Sequence, residues 1–147
     1  MKPKDKEPVK RVEKIIKQFD KNLNISLLKT SARTALEAAT SLNCDVGAIV
    51  KSLLFKTDNK YALFLIAGDK KASLKKIKKN IKLSDVSMAS ADEVKSITGY
   101  TIGGVSPVGH INNIDIYIDN SLERFDFLFA AAGHPNCIFK ISFLAVS

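Results

Sequence analysis

Residues 51–66 read KSLLFKTDNKYALFLI. Two apolar runs, Ser52-Leu53-Leu54-Phe55 and Tyr61-Ala62-Leu63-Phe64-Leu65-Ile66, flank the turn cluster Asp58-Asn59-Lys60, which is the pattern of a β-hairpin. The second run is apolar throughout, so it is expected to be a central strand covered on both faces. Gly68-Asp69 ends it. Upstream, Val9, Val12, Ile16 and Phe19 recur at helical spacing and predict an amphipathic helix over residues 8–20, with lysines on its other face. Ile25–Lys29 is a short strand candidate. Thr34 can cap a helix that ends near Asn43, and Val46–Val50 reads as a further helical turn. Downstream, Leu74, Ile77 and Ile81 mark a helix whose outer face carries Lys75, Lys76, Lys78, Lys79 and Lys82. Ser90 and Glu93 have capping-box spacing and open a helix to about Thr98. Ile114–Ile118, Phe127–Ala131 and Cys137–Phe143 complete the strands, the last two around Gly133-His134-Pro135-Asn136. Strands and helices alternate without a regular βαβ rhythm. The expected class is therefore α+β, with a mixed, largely antiparallel sheet or barrel and helices packed outside.

The 147 residues suit one domain, 1–147, with residues 1–7 as a flexible polar tip. No apolar run approaches the roughly 18 residues of a membrane span, and the charged N-terminus does not read as an export signal. A cytoplasmic protein with no membrane partner, monomeric by default, is expected. Cys44 and Cys137 are far apart and in no metal-binding spacing, and His110 and His134 add no metal motif, so neither a structural zinc nor any cofactor is expected. Two buried, reduced thiols are expected rather than a disulfide.

Net charge is +8, unevenly placed. Of 23 Lys and Arg residues, 20 lie within residues 1–82, against 8 of the 15 acidic residues, so the first part carries +12 and the rest −4. A polyanion such as RNA is the natural partner of such a half. Solvated lysines on helix faces, from a biased composition, would give the same count.

Three segments carry the candidate chemistry. Lys51 opens an apolar strand, followed by Ser52, and places an ammonium at a sheet rim where it can meet phosphate or carboxylate; a snorkelling surface lysine is the plain alternative. Gly99–His110 reads GYTIGGVSPVGH. The adjacent Gly103 and Gly104 let the backbone approach a ligand, and the N–H groups near Gly103, Gly104 and Val105 can face a developing oxyanion. An ordinary turn is the alternative. Asp119 follows an apolar strand, where it can face a pocket or simply cap the turn starting at Ser121 or Leu122. No Ser-His-Asp order or Cys-His pairing stands out, which points away from a covalent mechanism.

In order, VKSLLFK (50–56), YALFLIAGDKK (61–71), MASADEV (88–94), TGYTIGGVSPVGH (98–110), IDIYIDNSL (114–122) and AAAGHPN (130–136) resemble the YbaK and prolyl-tRNA synthetase-associated editing family. The resemblance spans roughly residues 25–143; the N-terminal helix matches only as a generic feature. It implies metal-independent hydrolysis of the ester joining a wrong, small amino acid to tRNA, chiefly tRNA for proline. The family's functional lysine falls on Lys51, its Gly-x-x-x-Pro loop on Gly103–Pro107, its pocket histidine on His110 and its late aspartate on Asp119. Ser52, Ser106 and Pro107 join the expected substrate-binding set, and Lys75, Lys76, Lys78 and Lys79 the expected tRNA contacts. With no synthetase domain in the sequence, a freestanding enzyme acting on aminoacyl-tRNA is expected, with or without a synthetase partner. The rival readings are a noncatalytic module of the same fold that binds tRNA or a nucleotide, and a domain that docks on a synthetase.

Overall fold

The computed structural model describes residues 2–29, 34–80 and 85–146. The elements in chain order are a short 3-10 turn Pro3–Asp5, α1 (Glu7–Phe19), β1 (Ile25–Leu27), α2 (Ala35–Leu42), a 3-10 turn Val46–Ala48, β2 (Val50–Thr57), β3 (Tyr61–Ala67), α3 (Leu74–Asn80), β4 (Val86–Met88), α4 (Ala91–Thr98), β5 (Asp115–Ile118), a 3-10 turn Asn120–Arg124, β6 (Phe127–His134), β7 (Cys137–Ser142) and α5 (Phe143–Val146).

The hairpin reading of residues 51–66 fixes the centre of the larger sheet. β2 and β3 pair antiparallel over their whole length, from Val50 opposite Ala67 to Lys56 opposite Tyr61. The sheet order is β4-β2-β3-β5, so the apolar run Tyr61–Ala67 is central as expected. Its two faces feed two separate cores. Leu63, Leu65 and Ala67 pack with Val50 and Leu54 into the main core, whereas Ala62, Phe64 and Ile66 pack with Leu53 and Phe55 under α3. Alternation is therefore preserved even though both faces are apolar. β5 joins β3 in parallel, the one parallel strand pair among the described residues, and its Tyr117 ring stacks on Phe64 at 5.0 Å.

A second sheet, β1-β7-β6, is antiparallel throughout. The expected sheet or barrel resolves into these two sheets, which do not close on themselves. Among the described residues one isolated parallel bridge, Ile49 to Phe129, links them beside the main core they share. The β6–β7 turn is tighter than expected, because β6 continues through His134 and leaves only Pro135-Asn136 to reverse the chain.

Local chemistry sets the helix ends. Thr34 Oγ1 accepts from Glu37 N–H at 3.1 Å, and α2 stops where Asn43 takes left-handed φ 53°. At α4, Ser90 and Glu93 form both halves of the capping box, and Gly99 (φ 83°) ends the helix. The helical turn expected over Val46–Val50 is shorter, since Val50 already belongs to β2. Strand β4 and helix α5 were not legible in the sequence. Ile81 and Lys82 lie outside the described residues. Both cysteines are free, Cys137 buried and Cys44 half-buried.

Candidate active site

Besides β3, β2 has two further neighbours, and they diverge. Near its start, Ile49 meets Phe129 of β6; near its end, Phe55–Thr57 pair with β4. Ala89 N–H donates to the Leu54 carbonyl on that β4 side. The groups of Ser52, two residues earlier, must point the same way, into the gap between β4 and β6. A cavity of about 550 Å³ fills this gap, within the range of small-ligand sites. Its floor and walls include Val50, Ser52, Leu54, Val105, Phe129 and Ala131. Leu36, Met88 and Ile102 line it too and remain 60–67% exposed, so they form an apolar rim.

Four of the expected site residues meet there: Lys51, Ser52, Gly103 and Val105. Ser52 lies on the main-core face of β2, and its Oγ is buried with no hydrogen-bond partner among the described residues. An orphaned buried hydroxyl costs roughly 1–3 kcal/mol, so such a group inside a cavity marks a place where a ligand can supply the bond. Lys51 alternates to the opposite face. Its Nζ donates to the Lys70 carbonyl, on the segment that leads into α3. That segment is held by Arg124, whose fork grips Asp69 at 2.9 and 2.8 Å and keeps its carboxyl below the ordinary range. The α3 residue Ile77 packs under the same face, while Lys75, Lys76 and Lys79 are exposed and Lys78 half-buried.

The glycine pair divides its labour. Thr101–Gly104 is a tight turn closed by Gly104 N–H donating to Thr101 C=O at 3.0 Å, with Gly103 at φ 90°, the geometry of a type II turn. The Gly104 amide is therefore occupied, which corrects the expectation that it faces an oxyanion. The amides of Gly103 and Val105 donate to no acceptor among the described residues, and both residues line the cavity. Gly104 is needed for a different reason. A Cβ there would stand 2.9 Å from the backbone N and Cα of His134, so this loop lies directly on the end of β6.

The remaining expected residues lie outside the cavity lining. Ser106 is fully buried, and its Oγ accepts from Val108 N–H at 3.2 Å; Pro107 is buried beside it. His110 Nε2 is 2.7 Å from the Ser106 carbonyl, so the neutral ring carries its proton on Nε2, and its edge faces Tyr100 at 5.9 Å. Burial holds this imidazole below its ordinary pKa, against the Ser106 bond and with the help of nearby Arg11. Asp119 caps the Asn120–Arg124 turn, accepting from Ser121 N–H at 2.9 Å, Ser121 Oγ at 2.7 Å and Ala67 N–H at 3.3 Å. Burial pushes its carboxyl up, but these donors outweigh burial and hold it below the ordinary range. It joins the end of β5 to the end of β3, whereas Lys51 is held by Lys70.

Sequence reasoning missed the apolar rim, the Arg124–Asp69 clamp and the placement of Phe129, Ala131 and Pro135 on the cavity wall. For Pro135 a signal existed in AAAGHPN; the other contacts join residues tens of positions apart, which spacing does not reveal.

With this geometry in hand, comparison with known proteins is specific. The model of a family described as the aminoacyl-tRNA editing domain matches residues 29–146. The chain is 30% identical to YwhH of Bacillus subtilis (strain 168), itself uncharacterised, over 91% of this chain and 85% of that one. It is 34% identical to a region of proline–tRNA ligase from Macrococcus caseolyticus, covering 82% of this chain but only 21% of the ligase, so it spans about a fifth of that relative. A solved structure described as a candidate trans-editing enzyme for prolyl-tRNA synthetase superposes with TM-score 0.88 at 33% identity, over 96% of this chain and 92% of that one.

Proposed function

Since the chain belongs to the aminoacyl-tRNA editing domain family, we propose that it is a trans-acting deacylase hydrolysing the ester of a mischarged small amino acid on tRNA for proline. The choice of tRNA is supported by the proline–tRNA ligase relatives and by the prolyl-type trans-editing neighbour. The observation that carries the reading is the meeting of the unpartnered Ser52 hydroxyl and the amides of Gly103 and Val105 at one cavity, with Lys51 at its edge on the opposite face of β2.

Ester hydrolysis needs a held carbonyl, an attacking water and donors where negative charge develops. In this reading Lys51 leaves the Lys70 carbonyl for the phosphate or ribose of the tRNA end. The Ser52 hydroxyl engages the aminoacyl group. Water attacks the ester carbon, the Gly103 and Val105 amides meet the oxyanion, and the C–O bond to the ribose breaks, releasing free amino acid and tRNA. The vicinal ribose hydroxyl assists proton transfer, which suits a cavity whose lining offers no imidazole or carboxylate among the described residues. His110 shapes the loop from behind through Ser106. The apolar walls favour a small, uncharged side chain. Lys75, Lys76, Lys78 and Lys79 extend a positive surface from the Lys51 side of the sheet toward the tRNA body. The reaction uses no metal or cofactor, and a single-domain cytoplasmic protein acting as a monomer, with or without a synthetase beside it, completes the reading. No helix among the described residues is long and apolar enough to cross a membrane.

The test is deacylation of alanyl-, cysteinyl-, seryl- and prolyl-tRNA for proline by wild type and Lys51→Ala. Selective release of one noncognate residue, lost in the variant, is expected. No turnover on any member, by a folded protein that still binds tRNA, would replace the hydrolase with a noncatalytic binding module.

A further inference from the structure

The reaction loop is gripped from outside the family-matched segment. We infer that Arg11, on α1, is a positioning residue that pins both ends of the 99–110 loop and so sets the direction of the Gly103 and Val105 amides; this rests on the deacylase reading for its activity arm only. Arg11 Nε donates to the Gly109 carbonyl at 2.8 Å, and Nη2 reaches the Gly99 carbonyl at 3.5 Å. One guanidinium thus bridges the residue that ends α4 and the residue ten positions on. Its plane lies over the Tyr100 ring, 4.8 Å to the centroid, and Tyr100 is fully buried. The Tyr100 hydroxyl donates to the Val108 and Gly109 carbonyls, at 2.6 and 2.9 Å. The Glu7 carboxylate holds the far side of the fork at 2.5 and 2.7 Å. Charge-assisted bonds from a planar fork fix direction as well as distance, which an ammonium does not do.

α1 braces the loop a second time through backbone. A Cβ on Gly133 would stand 2.9 Å from the Pro8 carbonyl, and a Cβ on Gly104 equally close to His134. The start of α1, the end of β6 and the glycine turn are therefore stacked in backbone contact. Val9, Val12 and Ile16 anchor this helix in the main core, so the guanidinium is carried on a rigid support. The family match begins at residue 29, and α1 precedes it. The loop's ends are consequently held by a part of the chain that contributes nothing to the cavity lining.

Two readouts test this with full-length protein. In the first, amide hydrogen exchange is compared for wild type, Arg11→Ala and Arg11→Lys. Arg11→Ala is expected to raise exchange at the Gly104 amide at least tenfold while β3 amides keep their protection, and Arg11→Lys to restore it only in part. Unchanged Gly104 protection in Arg11→Ala overturns the proposal whether or not the protein is a deacylase. In the second, turnover of Arg11→Ala on the preferred mischarged tRNA is expected to fall tenfold or more in kcat with KM within about twofold of wild type. Unchanged kcat in Arg11→Ala, with active wild type, overturns the positioning role. An inactive wild type with a loosened loop would fail the deacylase reading and leave the brace supported. If Arg11→Ala does not fold, Arg11→Gln and Arg11→Lys carry both arms with the same criteria.

Discussion

Gly103 and Gly104 are neighbours with opposite requirements. Adding a methyl at Gly104 drives it into the His134 backbone, so Gly104→Ala is expected to cost about 1–3 kcal/mol of stability, read as a lowered urea midpoint. At Gly103 the same methyl meets only Pro135 Cγ, 3.5 Å away, but φ 90° is strained for alanine by roughly 1–2 kcal/mol. Gly103→Ala should therefore keep the fold, shift the local amide and lower deacylation at least tenfold. An active Gly103→Ala would remove the oxyanion role from this turn. His110 makes a pH prediction. Its folded pKa lies below the unfolded value near 6.5, because burial disfavours the imidazolium. The unfolded chain then binds the proton first, so stability is full above about pH 6.5 and declines as pH falls through the lowered folded value. His134 has the same sign, from burial and Lys6. Melting temperature should fall between about pH 7 and 5, and His110→Gln should make the fall shallower. An equal slope in the variant would mean the ring titrates as it does in water.

Among the elements, α4 shows how far local sequence can reach. Its capping box is closed at Ser90, and Glu93 also accepts from the Tyr61 hydroxyl on the central strand. The Ser90 backbone N–H, Tyr61 and Lys56 hold the Glu93 carboxyl down to about 2. A depressed carboxyl contributes stability above its unfolded pKa near 4.3 and loses it as pH falls through the folded value. Glu93→Gln should therefore flatten the acid limb of the stability curve between about pH 4.5 and 2, and Ser90→Ala should cost about 1 kcal/mol by urea titration. An unaltered acid limb in Glu93→Gln would show that this tie to β3 contributes nothing. α4 leads straight into the 99–110 loop through Gly99, so its cap also fixes where that loop begins.

Over the whole molecule, charge and pairing act at different ranges. The basic half places Lys10 and Lys14 on the exposed side of α1, Lys21 in the exposed turn after it and the α3 lysines beside the Lys51 face, and tRNA affinity should fall by roughly 0.7–0.9 log units per log unit of salt for each phosphate neutralised. A flat response would leave these lysines merely solvated. The sequence by itself determined the elements governed by neighbours in the chain: the 51–66 hairpin, the Thr34 and Ser90 caps, the amphipathic α1 and the ordered motifs that mark the family. It also singled out Lys51, Ser52, Gly103 and Val105, which the structure brings to one cavity lining, because a lysine at a strand start and paired glycines are local signals. Only the tertiary structure decided that β5 runs parallel to β3, that the sheets meet at Ile49 and Phe129, and that the gap between β4 and β6 becomes a cavity. It likewise turned Asp119 into a cap, occupied the Gly104 amide and brought Arg11 across 98 residues to Gly109. The physical reason is range: periodicity and capping depend on residues within a few positions, whereas a cavity and its braces depend on which distant backbones pack side by side.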